Sequence, residues 1–483
     1  MALPGLSLPG LGLQLNTPTP LLGGQPSSAP QAIRQEDVPP QAEWRFEAGF
    51  GKPFTVKLLG GHAEFFGVEL APNQTYDFSG RKGAIFSWQG CRLEVSGDAE
   101  SEYVGRETEY AIEWLNVHGM LESARDDSRE GPRVLVVGPD HVGKSSLVRS
   151  LAGWGVKVGR TPTVVNLDPK EGLLAPPSSL TATTVGSQLD VENGYGISGI
   201  SGPTVTPVKT PLVYHFPHAS PLDKSDVYKA LVTRMALSVT NKLEEDAQAK
   251  QSGIIIDTSG SLNDPRSNYD IINHIISEFS ITLVLCLGSE RLYNDLNRRF
   301  TTSKVGDESI PVLRISKPGG AVERDASFMK QMTQQQIRQY FFGTSKEPLN
   351  PHSHSIPYTD LNVLRAKSAA SEPGPENPYG GGLDDDDEDD IPYANKPVKI
   401  TGILYEKSPP GATLTGSLMA VKYCPGSSNE ETVRDSTVMG FVYVAEVDDT
   451  RKKIRFLAPH PQRWGDRALV WGPWPEAIAD LVV

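Results

Sequence analysis

The sequence predicts an α/β protein with three folded parts: a central domain on a parallel sheet, an N-terminal β-sandwich before it and a C-terminal β-rich domain after it. Three observations carry this. Residues 133–146 read Arg-Val-Leu-Val-Val-Gly-Pro-Asp-His-Val-Gly-Lys-Ser-Ser, a full match to G-x-x-x-x-G-K-[ST] between a strand-like run and a helix-like one. Beyond that match, short apolar runs alternate with segments of helical spacing, the pattern of a parallel sheet covered by helices. At both ends lie short runs of β-formers separated by Gly, Asn and Asp.

The elements follow in order. Residues 1–40 hold eight prolines and five glycines with little periodicity, and read as a disordered tail. The β-sandwich is expected over 41–126, with strands at 44–47, 54–58, 63–70, 84–88 and 91–95. Residues 110–115 make one further candidate strand, and 116–125 a helix ending at a polar linker. The central domain is expected over 127–345. After the helix that begins near Lys144 come a strand at 163–168 and a stretch rich in Pro, Gly, Ser and Thr, in which 212–216 is the best strand candidate. Helices follow at 225–250, 269–279, 291–300 and 331–342, and strands at 253–260, 281–287 and 312–315. The C-terminal domain takes 346–483, with strands at 400–405, 417–423, 437–447 and 453–457 and a disordered acidic insert at 367–397.

Composition excludes several classes. The net charge is −13, and the run Asp384–Asp390 alone supplies seven of the negatives. No globally basic surface exists for nucleic acid, so any RNA contact is local. Cys91, Cys286 and Cys424 lie far apart and form no disulfide framework, which suits a reducing compartment. No apolar run approaches ~20 residues, so no membrane span is expected. The leucine-rich first residues lack basic residues and make a poor signal peptide, so an intracellular protein is expected.

The motif explains its own spacing. Gly138 and Gly143 let the backbone curl so that successive N–H groups point at phosphate oxygens. The helix that starts near Lys144 adds its positive end. Lys144 reaches the outer phosphates, and Ser145 is the residue to hold Mg²⁺. Nucleotide binding is the expectation; turnover is a separate question. A second acid is needed near the phosphates. Asp168 and Asp257 both end strands and stay open as candidates, since an Asp at such a junction also caps turns. Arg291, Arg298 and Arg299 share one short helix, which is either a phosphate-binding lid or a solvated basic face. His352 and His354 fall in a Pro/Ser-rich linker with no partner at zinc spacing, and read as exposed.

Several strings carry a resemblance: Glu43-Trp44-Arg45-Phe46, Ala63-Glu64-Phe65-Phe66-Gly67-Val68-Glu69-Leu70, Gly131 through Pro139, Asp257-Thr258-Ser259-Gly260 and Glu290 through Asn294. With the three-domain order, they resemble the Clp family, polynucleotide 5′-hydroxyl-kinase-like subunits of the pre-mRNA cleavage and polyadenylation machinery. The low-complexity ends look like those of a fungal member. The resemblance implies ATP and Mg²⁺ held by His141, Val142, Gly143, Lys144, Ser145 and Ser146, with Glu43 and Lys82 of the β-sandwich contacting the nucleotide. Only the resemblance assigns those last two. It also implies that Asp168 is the base in members with kinase activity; on a kinase reading Arg291, if its helix is a lid, stabilises the phosphoryl group.

One departure bears on activity. Active relatives carry Asp-x-x-Gln after the second strand; here the string is Asp168-Pro169-Lys170-Glu171. A carboxylate beside a phosphate-rich acceptor opposes its binding, and Pro169 stiffens the loop. The resemblance therefore implies an ATP-bound scaffold subunit of a nuclear cleavage factor of the IA type. Its partners would be the other cleavage-factor subunits, with RNA a further candidate. The alternative is an active 5′-hydroxyl kinase. A GTPase-like switch is the weakest reading, because no N-K-x-D string reads guanine.

Overall fold

The computed structural model describes residues 33–195, 211–302, 309–367, 403–461, 465–479 and 481. The expected tail over 1–32 and the acidic insert from 368 onward lie outside the described residues.

Nine strands build the N-terminal β-sandwich: β1 (Ile33–Val38), β2 (Ala42–Ala48), β3 (Thr55–Gly61), β4 (Glu64–Phe65), β5 (Val68–Glu69), β6 (Thr75–Asp77), β7 (Arg81–Ser87), β8 (Cys91–Ser96) and β9 (Ser101–Gly105). They form a sheet of order β1-β8-β3-β6 and one of order β5-β4-β7-β2-β9. Trp44, Phe46, Phe54, Phe65 and Phe78 fill the core, with Phe46 and Phe78 ring centroids 5.0 Å apart. β1 falls inside the stretch expected to be tail. Its polar sequence, Ile-Arg-Gln-Glu-Asp-Val, hides a strand that pairs with β8 from Ile33↔Ser96 to Val38↔Cys91.

α1 (Glu109–Asp127) replaces the strand expected at 110–115. Tyr110, Trp114, Val117 and Leu121 recur every three or four residues and bury one helical face. The run Tyr-Ala-Ile-Glu-Trp-Leu is too short to tell the two periods apart.

The central domain holds β10 (Arg133–Val137), α2 (Lys144–Lys157), β11 (Thr163–Leu167), β12 (Ser179–Thr184), β13 (Leu212–His215), α3 (Ser225–Glu245), α4 (Ala247–Ser252), β14 (Ile254–Thr258), α5 (Asp270–Phe279), β15 (Leu283–Leu287), α6 (Glu290–Thr302), β16 (Val312–Ile315) and α7 (Ala326–Phe342). The sheet order is β13-β12-β11-β14-β10-β15-β16. β11, β14, β10, β15 and β16 are parallel, as expected, while β12 and β13 extend the sheet antiparallel. β12 reads Ser-Leu-Thr-Ala-Thr-Thr and lacks an aliphatic run, so its burial is not legible in sequence. Thr181 Oγ1 donates to the Leu173 carbonyl at 2.8 Å, while Ser179 Oγ is buried with no partner among the described residues.

The C-terminal domain is one sheet of order β17-β22-β21-β20-β23-β18-β19, made of β17 (His352–Pro357), β18 (Asn362–Ala366), β19 (Tyr405–Lys407), β20 (Leu418–Pro425), β21 (Val438–Asp448), β22 (Lys453–Ala458) and β23 (Arg467–Trp471), with α8 (Glu430–Asp435) beside it. The stretch expected to be a linker around His352 and His354 is thus an edge strand paired with β22. His352 is exposed as expected, and His354 is half-buried.

Two joints fix the domains. The β4–β5 hairpin, from the string Ala63–Leu70, lies on α2. Gly67 takes a φ of +79°, and a Cβ there would stand 2.7 Å from Ser150 Cα. Trp154 Nε1 donates to Glu64 Oε2 at 3.0 Å, Lys157 pairs with Glu69, and the Arg149 guanidinium lies 5.1 Å from the Phe65 ring centroid. On the other side, Ile337, Tyr340 and Phe341 of α7 join Leu418, Phe441 and Tyr443 in one apolar cluster, and the Phe441 N–H donates to Tyr340 Oη at 2.9 Å.

Candidate nucleotide site

β10 delivers the chain into a loop that only certain residues can make. Gly138 has a φ of +151°, and a Cβ on it would meet the Leu287 carbonyl oxygen at 2.4 Å. His141 and Gly143 also take left-handed conformations, at φ 62° and 96°. α2 begins at once with Lys144, so its first N–H groups open into the loop. Lys144 is buried, and its Nζ donates to the Pro139 carbonyl at 2.7 Å.

Both candidate acids arrive beside this loop. Asp168 follows β11 and lines the cavity over the loop; Asp257 in β14 sits next to β10, in register with Val136. Burial and then the neighbouring Glu171 push the Asp168 carboxyl up to about 7. Burial pushes Asp257 up to about 6, against the pull of Lys144 and Ser145. Asp257 Oδ1 is buried with no hydrogen-bond partner among the described residues. An orphaned carboxylate oxygen beside a serine hydroxyl fits a hard divalent cation such as Mg²⁺.

Glu171 is not a lone extra charge. Arg324 Nη2 pairs with Glu171 Oε1, and Arg324 Nε donates to His141 Nδ1 at 3.1 Å. Burial alone would raise the Glu171 carboxyl, but the Arg324 guanidinium holds it below its ordinary value. The conflict expected from glutamate at this position is answered by a neighbouring cation.

The β-sandwich closes the other end. Glu43 on β2 is buried, accepts from Arg45 Nε at 2.5 Å, and accepts from Tyr110 Oη on its second oxygen. Lys82 on β7 pairs with Glu47 at 2.7 Å and donates to the Glu323 carbonyl at 3.3 Å. One cavity is lined by Glu43, Lys82 and Tyr110 at this end and by His141, Lys144 and Ser145 at the other. Gly143, Ser146, Asp168, Glu171 and Arg324 line it too. Val142 points away, its side chain near the Gly138 and Gly288 backbone.

Arg291 takes no part in this lining. It is exposed on α6 and faces Asp295 at 3.9 Å. Arg298 is exposed beside the same aspartate, and Arg299 donates to the Asn268 carbonyl at 2.7 Å. The arginine that reaches the P-loop end of the cavity is Arg324, on the segment between β16 and α7. Sequence reading misses it because one arginine in a loop has no period. The signal present is Lys-Pro-Gly-Gly shortly after a strand. The far end of the chain also reaches this region: the Trp474 indole N–H donates to the Pro169 carbonyl, next to Asp168, at 3.3 Å.

Comparison with known proteins agrees with this architecture domain by domain. Residues 37–128 match a family profile described as the N-terminal beta-sandwich domain of polyadenylation factor, and residues 138–343 match mRNA cleavage and polyadenylation factor CLP1 P-loop. Residues 349–476 match pre-mRNA cleavage complex II protein Clp1. An mRNA cleavage and polyadenylation factor clp1 from Botryotinia fuckeliana is 41% identical across 99% of this chain and 100% of its own length.

The chain belongs to the Clp1 family.

A second fungal Clp1 relative, from Phaeosphaeria nodorum, is 42% identical over the same shares. Among solved structures, a Clp1p–Pcf11p complex superposes with a TM-score of 0.79 at 25% identity, covering 92% of this chain and 98% of that one. A further structure with the same TM-score is titled for an extended Pcf11p–Clp1p interface and ATP loss in a glycine-to-arginine point mutant. Within the Clp1 fold of this chain, the string Ala63–Leu70 forms the hairpin that seats the β-sandwich on the P-loop helix.

Proposed function

We propose that this Clp1-family chain is an ATP-binding scaffold subunit of a nuclear pre-mRNA 3′-end cleavage factor of the cleavage factor IA type. It would be required for endonucleolytic cleavage during polyadenylation-dependent 3′-end formation and would hold its nucleotide without turnover. The observation that supports this best is the shared cavity, whose walls come from the P-loop and from the β-sandwich. A ligand that touches both walls stabilises their arrangement by mass action. Gly138, His141, Val142, Gly143, Lys144, Ser145 and Ser146 form the phosphate cradle, Glu43 and Lys82 take the base end, and Ser145 holds Mg²⁺ with Asp257 behind it. Mg²⁺ supplies charge neutralisation between phosphate oxygens. A segment of a Pcf11-type subunit, the partner named for the solved relatives, docks on the assembled surface. The working units are the β-sandwich, the P-loop domain and the C-terminal domain at the boundaries given above.

A second reading, an active polynucleotide 5′-hydroxyl kinase, draws support from Asp168. A carboxyl raised to about 7 suits a group that takes a proton from a hydroxyl near neutral pH. Arg291 would then have to move to the phosphates. The test uses protein purified gently, with its bound nucleotide identified by chromatography, and an assay of labelled ATP with a 5′-hydroxyl oligoribonucleotide. Intact ATP on the protein and no label transfer is the expected result. Transfer that disappears in Asp168→Asn would replace the scaffold reading by the kinase one.

A further inference from the structure

The segment between β16 and α7 spans the whole length of the cavity. At the base end, Gly319 and Gly320 lie against the Arg45–Glu43 pair so closely that a Cβ on Gly320 would stand 2.8 Å from Arg45 Nε. In the middle, the Glu323 carbonyl accepts from Lys82. At the phosphate end, Arg324 meets His141 of the P-loop and Glu171 of the loop after β11. The segment ends at Asp325, whose side chain accepts from the Phe328 N–H at 2.7 Å and caps α7. It is a strap fastened at both ends of the site.

Arg324 is only partly engaged by the protein. A guanidinium has five N–H donors. One goes to His141 and one to Glu171; a third faces the Met332 sulfur at 3.8 Å, a weak acceptor. Among the described residues the remaining donors meet no protein acceptor, and the side chain lines the cavity beside Asp168 and Lys144. Glu171 holds the guanidinium in place and balances its charge. A planar fork with spare donors, anchored next to the P-loop, is the geometry that recognises a terminal phosphate.

We infer that Arg324, held by Glu171 and His141, is a specificity-determining residue that lets the site distinguish a nucleoside triphosphate from a diphosphate. The inference rests on the nucleotide reading above and deepens it. The base-end contacts of the strap are common to both nucleotides, whereas only the triphosphate is long enough to use the arginine at the far end. Because α7 carries the strap and packs on the C-terminal sheet through Tyr340 and Phe341, the same contact ties the phosphate count to the third domain.

The test is calorimetric titration of nucleotide-stripped full-length protein with ATP and with ADP, both with Mg²⁺. The wild type is expected to prefer ATP by about tenfold or more. Arg324→Gln is expected to bring that ratio close to one while ADP affinity changes by no more than about twofold. Arg324→Lys keeps the charge but loses the fork, and is expected to give an intermediate ratio; it serves if the glutamine variant does not fold. A wild type without preference for ATP, or a preference that survives both substitutions, overturns the inference and leaves nucleotide binding standing. A wild type that binds neither nucleotide overturns the reading beneath it.

Discussion

The Trp154 indole on the P-loop helix donates to Glu64 of the β-sandwich, and both side chains are buried. Burial raises the Glu64 carboxyl above its ordinary range, and the hydrogen bonds from Trp154 and Trp88 oppose that rise. Trp154→Phe keeps an aromatic ring but removes the donor that reaches the carboxylate from the P-loop helix. It is expected to cost about 1–3 kcal/mol in denaturant unfolding and to expose the 128–132 linker to protease. Equal stability and equal cleavage rates in the two proteins would show that the bond does not join the domains.

Gly67 sits in the same joint for a steric reason. Its φ of +79° and the Ser150 backbone at 2.7 Å leave no room for a methyl group. Gly67→Ala is expected to destabilise by more than about 1 kcal/mol. Gly60→Ala is the control: that glycine faces open space and lacks a positive φ, so a much smaller change is expected. Matching unfolding midpoints for the two variants would rule out the steric role of Gly67.

At the β-sandwich end of the cavity, Glu43 is fixed by two donors, Arg45 and Tyr110. Glu43→Ala frees the strap's contact as well as removing the acceptor. Weakening of ATP binding by about 10- to 100-fold is expected, the scale of a lost charged hydrogen bond of ~1.5–3 kcal/mol, with the chain still folded by circular dichroism. Unchanged affinity in a binding titration would move the base elsewhere.

Lys422 gives a pH signature remote from the site. It is buried in the C-terminal domain, and burial lowers its ammonium from 10.5 to about 7. Between about 7 and 10.5 the unfolded chain holds a proton there that the folded chain lacks. Stability contributed by this group therefore rises with pH across that window, and a penalty persists below it. Lys422→Met is expected to be more stable at about pH 7 by about 1–3 kcal/mol, with the difference shrinking by about pH 10. Urea midpoints at both pH values decide this; parallel profiles would contradict it.

Much of the site is legible in sequence because it is local. The P-loop, Asp168 and Asp257 are each written in one strand and its exit, where chain order gives spatial order. Glu43 and Lys82 come only through resemblance, since their strands say nothing about what faces them. Tyr110 belongs to a helix where a strand is expected, and Arg324 carries no signal of its own. Both reach the cavity through pairings across long stretches of chain, with Glu43 and Glu171, that no periodicity encodes. The fold follows the same rule. Aliphatic strands and amphipathic helices are visible, while polar strands such as β1 and β12 take their state from their neighbours.

The Trp474 indole rests on the Pro169 carbonyl, one peptide away from Asp168. A frameshift in the closing codons, past the last strand, would remove this donor together with Ile478 and Leu481, which pack against the C-terminal sheet. Alleles of that kind are expected to loosen the loop that carries Asp168 and the third domain together, rather than to count as harmless trimming.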